Sequence, residues 1–97
     1  MVTLEALRTD MREEILRIAG HHGARRVRIF GSVARGEATE SSDLDLLVDW
    51  DPGRSPLDHP QLVQDLESLL KIKVHVGTEQ LLHWYVRDRI LQEATPL

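Results

Sequence analysis

The chain has no cysteine, which excludes disulfides and thiolate metal centres. Aromatic residues are 4% of the total, and lysine appears twice against ten arginines, a ratio from which no function follows. No apolar run approaches membrane-spanning length and no basic-then-apolar signal pattern opens the sequence, so no membrane association is expected and the cytoplasm is the default location. An overall basic character is also missing. The formal net charge is −4, which argues against long nucleic acid as a partner, because binding a phosphate backbone needs a basic footprint. A nucleotide is not excluded, since backbone amides and a metal can meet its phosphates locally.

Ninety-seven residues, 41% hydrophobic and 29% charged, suit one soluble globular domain over 1–97. Such a chain buries roughly 60–70% of its unfolded surface, enough for one modest core. Thr3 can cap a helix whose Leu4, Leu7, Met11, Ile15 and Ile18 recur with helical spacing, ending at Gly20 or Gly23. Arg25–Phe30 reads as a short strand broken by Gly31-Ser32, with a short helix over Val33–Glu37 and a polar loop to Ser42. Asp43–Trp50 is a second strand, with Leu44, Leu46 and Val48 on one face and Asp43, Asp45, Leu47 and Asp49 on the other. After a Pro- and Gly-containing loop, Pro60 fits a helix's first turn, and Leu62, Val63, Leu66, Leu69 and Leu70 give that helix its apolar face. Ile72, Val74 and Val76 mark a third strand. Gly77-Thr78 turns into a last helix with Leu81, Leu82, Val86 and Ile90 on one side, and Pro96 closes the chain. The order predicts an α/β sandwich: a sheet of at least three strands with helices mainly on one face, and Asp43, Asp45 and His75 on the other.

Aspartate is depleted in strands, so two on one face need a reason. Positions i and i+2 lie about 6.6 Å apart and share a face. Two carboxylates so close repel unless a positive charge sits between them, and oxygen-only ligands favour Mg²⁺. Asp49 lies about 20 Å from Asp43 along the strand and cannot join them. The preceding turn adds phosphate chemistry. Gly31 lets backbone approach a ligand, the start of the short helix offers free amides, Ser32 brings a hydroxyl and Arg35 a forked cation. A phosphate cradle beside a two-carboxylate metal site is the arrangement needed for a metal–nucleoside triphosphate.

Together, "GSVARGEATESSDLDLLVDW" and the closing "RDRILQEATPL" resemble the minimal nucleotidyltransferases, the smallest members of the polymerase-beta-like nucleotidyltransferase superfamily. The shared pattern is Gly-Ser, a spacer, then Asp-x-Asp, matched by Gly31-Ser32 and Asp43-Leu44-Asp45; the likeness covers nearly the whole chain. It implies a mixed-sheet nucleotidyltransferase core. Gly31 and Ser32 would hold nucleotide phosphates with help from Arg35, and Asp43 and Asp45 would bind Mg²⁺, with Mn²⁺ as an alternative. The implied reaction transfers a nucleoside monophosphate, AMP from ATP, to an acceptor hydroxyl. The implied partner is a HEPN-domain toxin encoded nearby, neutralised by complex formation and by AMP addition to a tyrosine.

One position departs from the pattern. The resemblance leads one to expect a third carboxylate where this chain has His75, within Lys73-Val74-His75-Val76-Gly77-Thr78. A neutral imidazole can serve as a general base or ligate Mn²⁺ or Zn²⁺, but it suits Mg²⁺ poorly. Three readings stay open: a base in an altered enzyme, a site that binds nucleotide and neutralises its partner by occlusion alone, or a strand residue whose missing carboxylate comes from Glu79 or from a partner. Elsewhere, His21-His22 is expected as a solvated helix end, and Asp49 and Asp51 as loop flanks that bind nothing. Arg25, Arg26 and Arg28 form a basic strip, ordinarily a solvated edge and otherwise a contact for an acidic partner or RNA, and Trp84 and Tyr85 are core or partner interface.

Overall fold

A computed structural model describes residues 2–97. Thr3 Oγ1 accepts from Ala6 N–H at 3.1 Å, capping the first helix as expected. That helix runs as α1 (Leu4–Ala6), a π-helical stretch (Leu7–Met11) and α2 (Arg12–His21). Gly23, at φ +79°, turns the chain into β1 (Ala24–Phe30). There follow α3 (Gly31–Ala34), β2 (Leu44–Trp50), α4 (Asp58–Leu70), β3 (Val74–Gly77), a 3₁₀ turn (Glu79–Leu81), α5 (Trp84–Glu93) and β4 (Thr95–Pro96).

The four strands form one mixed sheet in the order β3-β2-β1-β4. β2 runs antiparallel to β1 and parallel to β3, and β1 runs antiparallel to β4. The fourth strand was not foreseen. Two residues including a proline carry no strand signal of their own; β4 exists because its neighbours hold it. Leu97 N–H donates to Val27 O at 3.1 Å, while the Arg8 and Arg12 side chains donate to the carbonyls of Pro96 and Leu97.

α2 and α4 cover one face of the sheet. Ile15, Ala19, Leu62 and Leu66 meet Val27, Ile29, Leu44, Leu46 and Val48 in a single core. Each of these leucines, isoleucines and valines contributes about 1.5–3 kcal/mol by leaving water. His22, expected in solvent, is instead buried. Its Nε2 lies 2.7 Å from Asp65 and its Nδ1 3.3 Å from Asp58, so it bolts α2 to α4. Burial opposes ionisation of Asp58, but hydrogen bonds from Arg54 and His22 outweigh it and hold its pKa below the ordinary value.

On the opposite face, alternation puts Leu47 among polar neighbours, yet it is fully buried, apart from the main core. The 3₁₀ turn packs against β2 there. The last helix differs most from expectation. Leu81 is 82% exposed, Trp84 81% and Tyr85 68%, and α5 fully buries no residue. Trp84 and Tyr85 are therefore not core. No described helix is long and apolar enough to cross a membrane.

Candidate active site

Strand register assembles the candidate residues at one end of the sheet. β1 ends at Phe30, whose partner across β2 is Asp45. On its other side Asp45 pairs with His75 of β3. Gly31 follows Phe30 directly, and Asp43 sits one residue ahead of β2, just outside the strand in which it was expected. The leucines flanking Asp45, Leu44 and Leu46, are fully buried, so the carboxylates are anchored to a rigid element.

Gly31 is where glycine is needed. Its φ is +78°, and a Cβ there would collide with Oδ2 of Asp45. The turn thus brings backbone against the aspartate, as the Gly-Ser signal suggests. The short helix begins at Gly31 rather than Val33 and ends at Ala34, with Ser32 partly exposed in its first turn. Arg35 follows immediately at its C-terminus.

Burial raises the pKa of Asp45. The Asp43 and Glu93 carboxylates add to the effect, while His75 and Arg35 oppose it. Three carboxylates, Asp43, Asp45 and Glu93, thus stand near one imidazole and one guanidinium, so acidic side chains outnumber the cations there. His75 Nε2 stands 2.9 Å from Asp43 Oδ2, with both side chains about half exposed. This contact leaves the other oxygen of Asp43 and Nδ1 of His75 available. Two carboxylates and an imidazole are a donor set that fits a divalent cation. Among the described residues no three His, Asp or Glu side chains already form a ligand group; Asp43 turns instead to His75.

One participant went unrecognised in the sequence. Glu93, the last residue of α5, accepts from Gly31 N–H at 2.8 Å through Oε2 and from Arg35 Nη1 at 2.7 Å through Oε1. Burial opposes its ionisation, but these two hydrogen bonds prevail and lower its pKa; Arg35's is raised in turn, chiefly by its hydrogen bond to Glu93. Glu93 lies inside the "RDRILQEATPL" stretch, but nothing local pairs it with residues some sixty positions earlier.

Other candidates fall away from the site. Glu79 is engaged elsewhere, its Oε1 accepting from Arg26 and Arg28 at 3.1 Å each. The basic strip is neutralised: Arg26 and Arg28 also face Asp49 at 3.4 and 3.9 Å, and Arg25 pairs with Asp51. Asp49 and Asp51, expected to bind nothing, hold the arginines. A cavity of about 250 Å³ lined by Trp50, Arg54 and His59 opens at the far end of β2 and contains none of the candidate residues. Chemistry rather than concavity marks the site.

A mixed four-stranded sheet with paired aspartates beside a Gly-Ser turn is the architecture of a nucleotidyltransferase. The Nucleotidyltransferase domain profile matches residues 8–97, and the chain belongs to that family. A Methanocaldococcus jannaschii relative, provisionally named a protein adenylyltransferase, is 42% identical over 85 residues, covering 88% of this chain and 91% of that protein. Protein adenylyltransferase MntA of Thermococcus cleftensis is 33% identical over 93 residues, covering 96% and 94%. A solved structure provisionally described as a minimal nucleotidyltransferase superposes with a TM-score of 0.83 at 51% identity, covering 99% of this chain and 97% of that one. The tri-AMPylated Shewanella oneidensis HEPN toxin in complex with MNT antitoxin shares the fold at 15% identity, with a TM-score of 0.62 over 87% of this chain and 66% of that one.

Proposed function

We propose that this nucleotidyltransferase is metal-dependent and transfers AMP from ATP to a tyrosine hydroxyl of a cognate HEPN-domain protein, acting as its antitoxin. The observation that carries the reading is the register that sets Asp45 between the Gly31 turn and His75, with Arg35 in reach. Adenylyltransferase names among close relatives, and a HEPN toxin in a solved structure of the same fold, support the donor and the partner.

In this reading Gly31 N–H, Ser32 and Arg35 seat the triphosphate. Asp43 and Asp45 would hold Mg²⁺ or Mn²⁺, and the bound metal would offset charge on the phosphates. The acceptor oxygen forms a bond to the α-phosphorus, the α–β bridging P–O bond breaks, and the hydroxyl proton passes to His75. With Nε2 facing Asp43, the imidazole is oriented and its Nδ1 is open as a base.

A second reading, neutralisation by complex formation without transfer, draws support from the exposed Leu81, Trp84 and Tyr85, a patch fitted to a partner surface. Intact-mass spectrometry of the cognate HEPN protein, incubated with this chain, ATP and either metal, separates the two. Mass added in steps of one AMP is the expected result. A complex formed without added mass under both metals would select the second reading.

A further inference from the structure

Glu93 stands where the proposed reaction needs something else. Gly31 N–H and Arg35 are the donors assigned to the nucleotide phosphates, and a carboxylate of the same chain holds both, at 2.8 and 2.7 Å. A backbone N–H has one hydrogen to give, and carboxylate and phosphate are rival acceptors for the guanidinium fork. Nor is the position one that α5 itself favours. Glu93 ends α5, where exposed carbonyls make a negative charge unfavourable. The side chain is only 15% exposed, so it is seated rather than trailing in solvent.

We infer that Glu93 is a built-in competitor for the phosphate seat: an intramolecular anion that occupies Gly31 and Arg35 in the resting protein and that the nucleotide's polyphosphate displaces. The inference rests on the assignment of Gly31 and Arg35 to phosphate. Displacement frees the Glu93 side chain, while the backbone beside it stays tied through β4, which pairs with β1 from Thr95 onward. Glu93 thus acts as a positioning residue whose release accompanies nucleotide entry.

Glu93→Gln tests this. It keeps an acceptor oxygen for Gly31 but loses the charge that holds Arg35. With the nonhydrolysable analogue AMP-PNP and Mg²⁺, and separately with inorganic tripolyphosphate, titration calorimetry is expected to show binding tightened roughly tenfold, because the competent state is no longer a minority. The same variant is expected to melt at a lower temperature. Opposite signs in affinity and stability identify a competitor; a merely structural role lowers both. Glu37→Gln is the control. Glu37 also reaches Arg35, at 3.3 Å, but does not touch Gly31. Its loss is expected to change affinity by less than about twofold, as for an exposed ion pair. Weaker binding in Glu93→Gln, or equal gains in the two variants, overturns the inference. Arg35→Ala reports on the underlying assignment: full nucleotide affinity there removes the phosphate seat itself, whereas lost affinity with no gain in Glu93→Gln removes only the competitor.

Discussion

The two ends of β2 use the same residue type to opposite ends. At the C-terminal end Asp49 and Asp51 meet Arg25, Arg26 and Arg28, with Glu79 completing a lattice in which each charge has an opposite partner. At the N-terminal end Asp43 meets one histidine, and the nearby Arg35 is held by Glu93 and Glu37. Glu79 has its pKa lowered, first by its hydrogen bond from Arg28; Asp45 has its pKa raised, first by burial. A carboxylate whose charge is matched within the fold serves the fold. A carboxylate left in excess is available to a cation from outside.

The comparison breaks most readily at Asp45. Asp45→Asn should abolish transfer, by about 100-fold or more as for loss of a principal electrostatic group, while the protein stays folded. Asp49→Asn should leave transfer within about twofold, consistent with an exposed pair of little net worth. AMP incorporation measured by mass spectrometry checks both, and normal transfer by Asp45→Asn would sink the site assignment. His75→Asp sharpens the contrast by adding a carboxylate to the end already in excess. Transfer is expected to fall about 100-fold, the scale of a lost general base, and a gain would mark His75 as a decayed metal ligand.

The matched end should break through stability instead. Glu79→Ala leaves the largely buried Arg28 without its nearest acceptor and is expected to destabilise by about 1–3 kcal/mol, read by denaturant unfolding, with transfer retained. The smallest effect is a pH signature. Because the folded-state pKa of Asp45 is raised, its protonated form stabilises the fold in acid, and that contribution is lost as pH rises through the raised pKa. Asp45→Asn should therefore melt with wild type below the ordinary carboxylate range and about 1–3 °C above it near neutrality, a modest gain because the group is partly solvated. Thermal melts across pH decide it; equal melting at neutral pH would show Asp45 to be compensated after all.

Much of this could be read along the chain. The Asp-x-Asp pair, the glycine turn and the alternation that puts His75 on the polar face are local patterns with periods of one to three residues. Gly31 was legible because only glycine tolerates its φ beside the Asp45 carboxylate. Glu93 was not, because its role depends on α5 returning across the Gly31 turn. His22 likewise reads as a polar helix end until α4 brings Asp58 and Asp65 to both of its nitrogens.

Exposure of α5 was misjudged for a related reason. Leu82, Val86 and Ile90 are partly buried, whereas Leu81 falls in the 3₁₀ turn ahead of α5 and is exposed; periodicity says that a face exists, not how fully the fold covers it. The basic strip proves to be an edge of paired charges: the number of arginines is visible in sequence, while the partners that neutralise them are not.

Local chemistry dictated the first three strands, the first helix and its cap, the aspartate pair and the tight turn, since backbone preference and side-chain periodicity act within a few residues. Long-range packing settled which charges are matched, which are left over, and that a glutamate near the end of the chain sits on the donors of a turn near its beginning. Electrostatic balance depends on distances across the fold, and those are set by how the sheet and helices close on one another.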